Sequence, residues 1–410
     1  MFTERRYYLI LLFIYTLFFA LIAPDRDSFI TKINLLLGEQ TYLIHDFFKI
    51  AGLSVTFFNV AMHILIVYLL LIFYSNSKVD GKEFAALGTF IGHSFFGTNF
   101  LNILPSIVGG ILYLNLSRGK KVFSHSAILF VTGTAPLVTY LALGNGSSID
   151  NYIFSCILGF LIGFITLPLG EHFYSFHKGF SLYNFGFTTG IISMMALLLL
   201  EYLDFSTPPK KIVISDFSIF PILYFIGILV LILIYLITHK SVDSLKIFRK
   251  LIKSSGNDPH DFVTNFGLQA TFLNLFLNGC LYFIILVLFG QQLSGPTLGG
   301  LINLLGFSAF GKNFLNCYPI TIGIILGAIL TRVSLSDIQC QMALVFGCGL
   351  APITSTYGKA YGIIAGLLHF NMVIVTFWLH KGLSLYNNGF STVIVAAFLF
   401  PIIEIIQDIL

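Results

Sequence analysis

Two pairs of asparagines recur at the same spacing in the two halves of this 410-residue sequence. They are Asn99 with Asn102 and Asn313 with Asn316. Each pair lies in the block Gly-x-Ser-x-Phe-Gly-x-Asn-Phe-Leu-Asn-x-x-Pro, which starts at Gly92 and again at Gly306. Neutral amides donate and accept hydrogen bonds, and proline frees the carbonyl four residues before it. Broken helices with such exposed groups hold solutes in transporters. We therefore expect these asparagines to line a constriction, with capping of the helix breaks as the alternative.

A second repeated block predicts a kink or break in two helices. Gly-x-Ala-Pro ends at Pro136 and returns in the second half, where it ends at Pro352. Hydroxyl side chains beside these prolines either bind the freed carbonyls or contact solute, and the sequence leaves both roles open. The further predicted solute contacts are Ser94, Ser308, Thr134 and Thr354, and the predicted helix breaks lie at Pro105, Pro136, Pro319 and Pro352.

A third block, His-Lys-Gly-x-Ser-Leu-Tyr-Asn-x-Gly-Phe, starts at His177 and again at His380. Each copy precedes a long apolar helix, so we expect both copies at a membrane edge. Lys178 and Lys381 would then extend their ammonium groups to the interface. A gating role for the two histidines is the alternative to a purely interfacial position.

One lysine breaks the symmetry of the first block. Lys312 stands where the first half has Thr98, and His93 stands where the second half has Phe307. A lysine flanked by apolar sequence is costly at membrane depth and is a functional hypothesis by default. Lys312 either attracts an anion or reaches the interface at the tip of a hairpin.

The acidic residues argue against several mechanisms. All 18 lie in loops or near the ends of the predicted spans, whereas proton-coupled pumps usually carry a carboxylate in the core. Paired carboxylates for acid–base catalysis and a phosphate-binding Gly-x-x-x-x-Gly-Lys motif are both missing from the sequence. The five cysteines show no Cys-x-x-Cys spacing. We therefore expect no catalytic residues, no metal and no cofactor.

Composition places the elements that carry these residues in a membrane. Hydrophobic residues make up 57% of the chain and charged residues 10%, with a mean hydropathy of +0.91. A soluble domain carries about 25% charged residues, so too few are present to cover a surface in water. This excludes a soluble enzyme, a nucleic-acid-binding protein and a disordered scaffold.

Ten segments match the roughly 20 apolar residues that a helix needs to cross a bilayer. They are 7–23, 50–74, 122–143, 151–170, 182–202, 217–238, 264–289, 336–355, 359–379 and 383–402. Residues 84–116 and 298–330 are too long for one span and are interrupted by Gly, Asn and Pro. We predict a re-entrant hairpin for each, since irregular backbone is tolerated at membrane depth only where protein or a cavity covers it.

Positive charge predicts the orientation. With a cytoplasmic N-terminus, inner loops hold 14 of the 22 lysines and arginines and outer loops hold seven. We take residues 7–23 as a span and not as a signal peptide, because the apolar run is long and Pro24 follows it. The predicted location is the inner membrane of the cell. The basic stretch 239–253 is expected to be a cytoplasmic connector, with an amphipathic lipid-surface helix as the alternative.

The repeated blocks divide the chain into four parts. Residues 1–49 form an N-terminal helix and outer loop, 50–202 the first repeat, 203–263 a connecting helix with a basic linker, and 264–410 the second repeat. The predicted topology sends 50–74 and 264–289 across the membrane in opposite directions. The repeats are therefore inverted, an architecture typical of channels and secondary transporters.

The doubled Phe-Gly-x-Asn-Phe-Leu-Asn-x-x-Pro block resembles that of a bacterial integral-membrane family of unknown function, over nearly the whole chain. A second resemblance is to the urea-transporter fold, in which inverted five-span repeats each contain a re-entrant half-helix. Its Gly-x-x-x-Tyr/Phe-Asn stretch is similar to Gly179–Asn184 and Gly382–Asn387, although here the asparagine follows glycine by five residues. That resemblance implies a phenylalanine-lined pore and a trimer, and it assigns no residue of this chain to the pore.

The sequence therefore predicts an all-α membrane protein of about ten transmembrane helices and two broken hairpins, arranged as two inverted repeats. We expect a channel or transporter that moves a small polar or ionic solute at the interface of the repeats. The expected partners are the solute, the lipid bilayer and, as a homo-oligomer, further copies of the chain, with no nucleic acid. An enzyme acting on a lipid-linked substrate, with His93 at its polar centre, is the alternative; an assembly subunit is a third.

Overall fold

A computed structural model describes residues 6–74, 78–117, 125–144, 146–203, 205, 218–239, 243–254, 261–290 and 292–409. The helices of the first half are α1 (Tyr7–Ile22), α2 (Phe29–Gly38), α3 (Phe47–Tyr74), α4 (Gly81–His93), α5 (Leu104–Leu116), α6 (Ala135–Leu143), α7 (Ile149–His177) and α8 (Asn184–Tyr202). Those of the second half are α9 (Phe220–Thr238), α10 (Ser244–Leu251), α11 (Phe262–Gly290), α12 (Gly295–Phe307), α13 (Phe314–Leu330), α14 (Ile338–Phe346), α15 (Ala351–Tyr357), α16 (Lys359–His380) and α17 (Asn387–Ile409).

The predicted all-α membrane fold is confirmed. Within the described residues, nine apolar segments are long enough to cross a bilayer, and the bent pair α1–α2 makes a tenth. A 93° bend separates α1 from the segment Arg26–Gly38. The 3₁₀ turns His125–Thr134 and Gly347–Leu350 precede α6 and α15, so regular α-helix is interrupted in both spans, as the Gly-x-Ala-Pro blocks predict.

Each predicted hairpin consists of two short helices separated by irregular backbone. The breaks lie between α4 and α5 and between α12 and α13. An asparagine from the preceding long helix spans each break: the Asn59 amide donates to the carbonyls of Ser94 (2.7 Å) and Thr98 (2.9 Å). Asn274 donates equivalently to Ser308 and Lys312, at 2.7 Å each. These bonds satisfy backbone groups that lipid could not.

The equivalence of the two halves extends to the start of α3 and α11. The sequence Gly-Leu-x-x-Thr-Phe-x-Asn begins at Gly52 and again at Gly267. Both glycines have φ near +75°, a left-handed conformation that other residues rarely adopt, and both kink their helices. This block was not among the predicted repeats, because a single glycine within an apolar run is a weak signal.

Helices α4 and α12 cross at the centre of the molecule and run antiparallel. Gly88 meets Gly306 and Gly92 meets Gly299 across the contact, with no room for a side chain at any of the four positions. Because these two helices are equivalent in the repeat, their antiparallel contact corresponds to a two-fold rotation. The halves are thus inverted about an axis that passes through this crossing.

Candidate functional site

A cavity of about 670 Å³ lies between the two halves. Its deep walls are Thr89, His93, Tyr183, Asn303 and Tyr386, all of them buried. Its mouth includes the exposed residues Lys82, Glu171, Tyr174, Thr264 and Asn265. The volume falls within the usual range for sites that bind small organic ligands.

The floor of the cavity coincides with the pseudo-two-fold axis. Thr89 and Asn303 are equivalent positions in the repeat, and the Asn303 amide donates to the Thr89 hydroxyl at 2.9 Å. Gly186 and Gly389 are also equivalent and contact each other. A residue can meet its own equivalent only close to the axis that relates them, as in a two-fold dimer interface. The cavity therefore reaches the centre of the inverted repeat.

Each half supplies a loop that inserts into the other. The Leu182 amide donates to the Gly349 carbonyl and the Leu385 amide donates to the Gly133 carbonyl, both at 2.9 Å. The hydroxyls of Ser181 and Thr392 are likewise 3.1 Å apart. These loops are the two copies of the His-Lys-Gly block, and their second part is buried within the protein. Their position at a membrane edge stays a prediction.

The shape of this loop follows from its sequence. Lys178 ends α7 in a left-handed conformation and Gly179 continues with φ +84°, which turns the chain inward. The Ser181 amide donates to Nδ1 of His177 (3.3 Å), so Nε2 carries the proton and donates to the Asn184 side-chain oxygen (3.2 Å). The histidine thus holds the loop closed.

Lys312 lies in the break between α12 and α13, but it is buried in the interior, so the expectation that it reaches the interface is wrong. Its side chain has 0% relative exposure. The ammonium donates to the hydroxyl of Tyr183 and lies 4.7 Å from the centre of the Tyr183 ring. Lys312 therefore places a cationic side chain directly behind the cavity wall.

The mouth carries carboxylates that bind backbone groups. Asp261 accepts hydrogen bonds from the Gly81 amide (2.9 Å) and the Thr264 amide (3.0 Å), and Asp80 accepts from the Glu83 amide (2.8 Å). Burial, with a smaller contribution from the nearby charge of Asp261, raises the pKa of Asp80 above its usual value. The two aspartates connect the start of α4 to the start of α11 at one end of the cavity.

The four predicted asparagines form a reciprocal cap at the start of α13 and the same bonds in the turn before α5, and they do not line this cavity. The Asn313 side chain accepts from the amides of Leu315 (3.0 Å) and Asn316 (3.1 Å), while the Asn316 oxygen accepts from the Asn313 amide (2.9 Å). Asn99 and Asn102 make the same reciprocal bonds at 2.9–3.0 Å. The capping alternative is thus realised at both breaks.

Three of the four predicted hydroxyl residues bind backbone groups near the breaks. Ser94 donates to the Ile91 carbonyl (2.6 Å), Ser308 donates to the Leu304 carbonyl (2.8 Å), and Thr134 lies 3.4 Å from the Val131 carbonyl. Thr354 packs against Gly362. None of these four is part of the cavity lining.

The predicted prolines lie at or just beyond irregular backbone. Pro105, Pro136 and Pro352 occupy the first turns of α5, α6 and α15, where the missing amide hydrogen costs nothing. Pro319 lies inside α13, beyond the break that precedes the helix.

Several cavity residues were not singled out from the sequence. Thr89 and Asn303 lie on plain apolar helices, and only their equivalence in the repeat marks them. Tyr183 and Tyr386 belong to the third repeated block. The lysines of that block predict a position at the membrane interface and not in a central cavity. The tyrosine at the same position in both copies of the block is the signal that could have marked these residues.

Among the residues that the structure describes, no group of three His, Cys, Asp or Glu side chains is placed to hold a metal ion. Comparison with curated proteins and with solved structures gives no match, and the resemblance to the urea-transporter fold stays a prediction. The sequence does match the family described as "Protein of unknown function (DUF1576)" over residues 25–202 and 240–405. This match covers well over half of the chain, which therefore belongs to the DUF1576 family.

Proposed function

We propose that the protein is a transporter that moves a small polar or ionic solute through the central cavity. The observation that carries the proposal is the position of the cavity: both halves line it, and its floor lies where Thr89 meets Asn303 on the pseudo-two-fold axis. Inverted-repeat transporters bind solute at this place, because rocking of one repeat against the other can expose it to either side.

The composition of the wall supports a solute with both polar and apolar parts. The lining includes the amide side chains of Asn184, Asn303 and Asn388 as well as the rings of Phe130 and Phe346. Such a lining combines apolar contact area with a few orienting hydrogen bonds. On the predicted orientation the mouth faces the cytoplasm, so the structure would correspond to an inward-facing state.

Liposome swelling tests the proposal over several solute classes in one assay. Purified protein is reconstituted, and light scattering follows the entry of urea, ammonium salts, organic acids, and sodium or potassium salts. We expect at least one class to enter several-fold faster than into protein-free liposomes. A Tyr174→Cys variant labelled with a bulky maleimide should lose at least five-fold of that rate, because Tyr174 lines the mouth.

The control for labelling is already in the chain. Cys156 is exposed on α7 and is not a cavity residue, so labelling the unmodified protein should leave the rate unchanged. Absence of entry for every solute class, with a folded protein in the membrane, would contradict transport. It would direct attention to the enzyme alternative, for which His93, also in the cavity wall, is the residue to replace and lipid products are the readout.

A further inference from the structure

The cationic group behind the floor forms no ion pair with a carboxylate in the part of the chain that the structure describes; its electrostatic neighbours are the buried thiols of Cys317 and Cys348. The ion pairs found there involve Arg6, Arg26, Lys32, His45 and Lys381, and none involves Lys312. The Lys312 ammonium is instead in contact with the Tyr183 hydroxyl and lies 5.2 Å from the centre of the Phe307 ring. Burial of an unpaired ammonium group is costly, and proteins usually compensate it.

A directed chain of hydrogen bonds leads from this lysine into the cavity. Lysine only donates, so the Tyr183 hydroxyl accepts from Lys312 and donates to the Asn303 oxygen at 2.9 Å. The Asn303 amide nitrogen then donates to Thr89 at 2.9 Å, and Thr89 donates to the Ala85 carbonyl at 2.8 Å. Asn303 uses one of its two N–H groups in this chain. The second is available as a donor at the cavity floor.

We propose that this floor binds the carboxylate group of a small organic anion, which is the transported solute; the inference rests on the transport function proposed above. An N–H donor and a nearby positive charge that no carboxylate neutralises favour an anion over a neutral or cationic group. The rings of Phe130, Phe185 and Phe346 provide apolar walls for the hydrocarbon part of the same molecule.

The carboxylates at the cavity mouth do not neutralise the positive charge behind the floor. Asp80 is nine residues before Thr89 along α4, which corresponds to about 13 Å of helix. Asp80 and Asp261 are also occupied as acceptors of backbone amides. Lys312, in contrast, is fully buried, so its field is screened far less by water than the fields of the mouth carboxylates.

The buried lysine is present in the second repeat and not in the first. Thr98 occupies the equivalent position in the first half, although the flanking glycine and asparagine are the same in both copies. A lysine with a purely architectural role in the break would be expected twice, since both breaks have the same asparagine caps. The single copy fits recognition of one charged group near the axis.

Three matched probes distinguish charge from shape: 4-phenylbutyrate, 4-phenylbutanamide and 4-phenylbutylammonium. Binding to the purified full-length protein is measured by calorimetry and by the shift in unfolding temperature. We expect the wild-type protein to bind the carboxylate at least ten-fold more tightly than the amide or the ammonium. Lys312→Met should remove that preference and leave binding of the amide within two-fold.

Lys359→Met is the matched control, because Lys359 is an exposed lysine of the same half, 5.5 Å from the centre of the Tyr318 ring. It should leave all three affinities unchanged. Should Lys312→Met fail to fold, Tyr183→Phe keeps the aromatic ring and removes the hydroxyl that links Lys312 to Asn303. We expect that variant to lose about three- to ten-fold of the carboxylate preference.

Equal binding of carboxylate and ammonium by the wild-type protein, or an undiminished preference in Lys312→Met, would overturn the anion assignment. Swelling assays separate this failure from failure of the proposed function. Protein-dependent entry of neutral or cationic solutes, without preference for carboxylates, would leave transport standing and the anion assignment rejected. Absence of both binding and entry for every probe would overturn the two together.

Discussion

The two ends of the interface between the repeats, the cavity mouth and the opposite end, are formed by equivalent sequence positions and differ in structure. At the cavity mouth Tyr174 is 51% exposed, whereas its equivalent at the other end, Phe377, is 4% exposed. Lys82 is exposed at the mouth, and its equivalent Pro296 is buried. Equivalent positions are thus open to solvent at one end and closed at the other, which is the asymmetry that the proposed transport function predicts for a single conformational state.

The sealed end is filled by the segment 41–46, which is buried along its whole length. The Leu43 amide donates to the Gly382 carbonyl (2.9 Å), and the Thr41 amide donates to the Thr139 hydroxyl (3.1 Å). The segment therefore bonds to both halves at once. The equivalent residues 256–260 lie outside the described part of the chain, and Asp261, the equivalent of Asp46, is the first described residue after them.

The largest expected effect comes from disrupting the contact between α4 and α12, which lies between the two ends. At Gly92 a Cβ atom would overlap the Gly299 backbone of α12, so Gly92→Leu should prevent α4 and α12 from meeting. We expect a loss of stability of about 3 kcal/mol or more, seen as aggregation in size-exclusion chromatography. Gly38→Ala is the control, because open space surrounds Gly38. A monodisperse Gly92→Leu protein would show that close contact between α4 and α12 does not require a glycine at position 92.

The next effect concerns a buried ion pair at the cavity end, where the Arg6 and Glu83 side chains are 4% and 3% exposed. Arg6 binds Glu83 through two nitrogens, at 2.8 Å each, and the position equivalent to Glu83 in the second half is Thr297. Glu83→Ala should destabilise the protein by about 3–5 kcal/mol, since it leaves an uncompensated buried charge.

Thermal unfolding in detergent measures the loss for Glu83→Ala. Glu201→Ala is the comparison variant, because Glu201 pairs with Lys381 where the two side chains are 34% and 38% exposed. It should cost at most about 1 kcal/mol. Equal losses of stability in the two variants would mean that the Arg6–Glu83 ion pair does not stabilise the packing of α1 against α4 more than an exposed pair would.

Replacing the equivalent aspartates sharpens the comparison further. Asp46 has 0% exposure and accepts from the amides of Phe48 (2.9 Å) and Gly295 (3.1 Å), whereas Asp261 is only half-buried. Asp46→Ala should cost about 2–3 kcal/mol because buried donors lose their acceptor. Asp261→Ala should cost about 1 kcal/mol, as for a helix cap. Chemical denaturation of both variants checks the order, and a reversed order would refute the difference in burial.

Labelling rates compare the ends directly. In a background with Cys156→Ser and Cys280→Ser, Tyr174→Cys should react with a water-soluble maleimide at least ten-fold faster than Phe377→Cys, because only Tyr174 is exposed. A solute that promotes the opposite state should narrow this ratio. Equal rates without solute would indicate a continuous channel.

The smallest expected effect concerns Asp80. Its pKa is raised on folding, so the native state binds more protons than the unfolded state between the ordinary and the raised value. Stability should therefore fall slightly as pH rises through that window. Asp80→Asn keeps a good N-cap and should remove this slope, with a neutral or slightly favourable effect at pH 7. Unfolding temperatures between pH 4 and 7 provide the measurement, and an unchanged slope would contradict the assignment to Asp80.

The spans were predictable because about 20 consecutive apolar residues are a local signal. The three repeated blocks likewise located the breaks and the loops that exchange between halves. The role of Asn313 was not decidable from sequence, because its amide bonds to the helix that follows and only the structure distinguishes a cap from a solute contact. The cavity could not be predicted from the sequence either, because Thr89 and Asn303 are far apart in the chain and meet only in the folded protein.

The exchanged loops have a consequence for synthesis of the protein. The Leu182 amide has its acceptor at Gly349, so at about 5–20 residues per second the ribosome makes that acceptor roughly 10–30 s later. During this interval the polar loop after α7 is in the membrane without its final partners. We expect the first half to remain beside the insertion machinery until the second half arrives. The two halves, made as separate chains, should then assemble only when they are produced together.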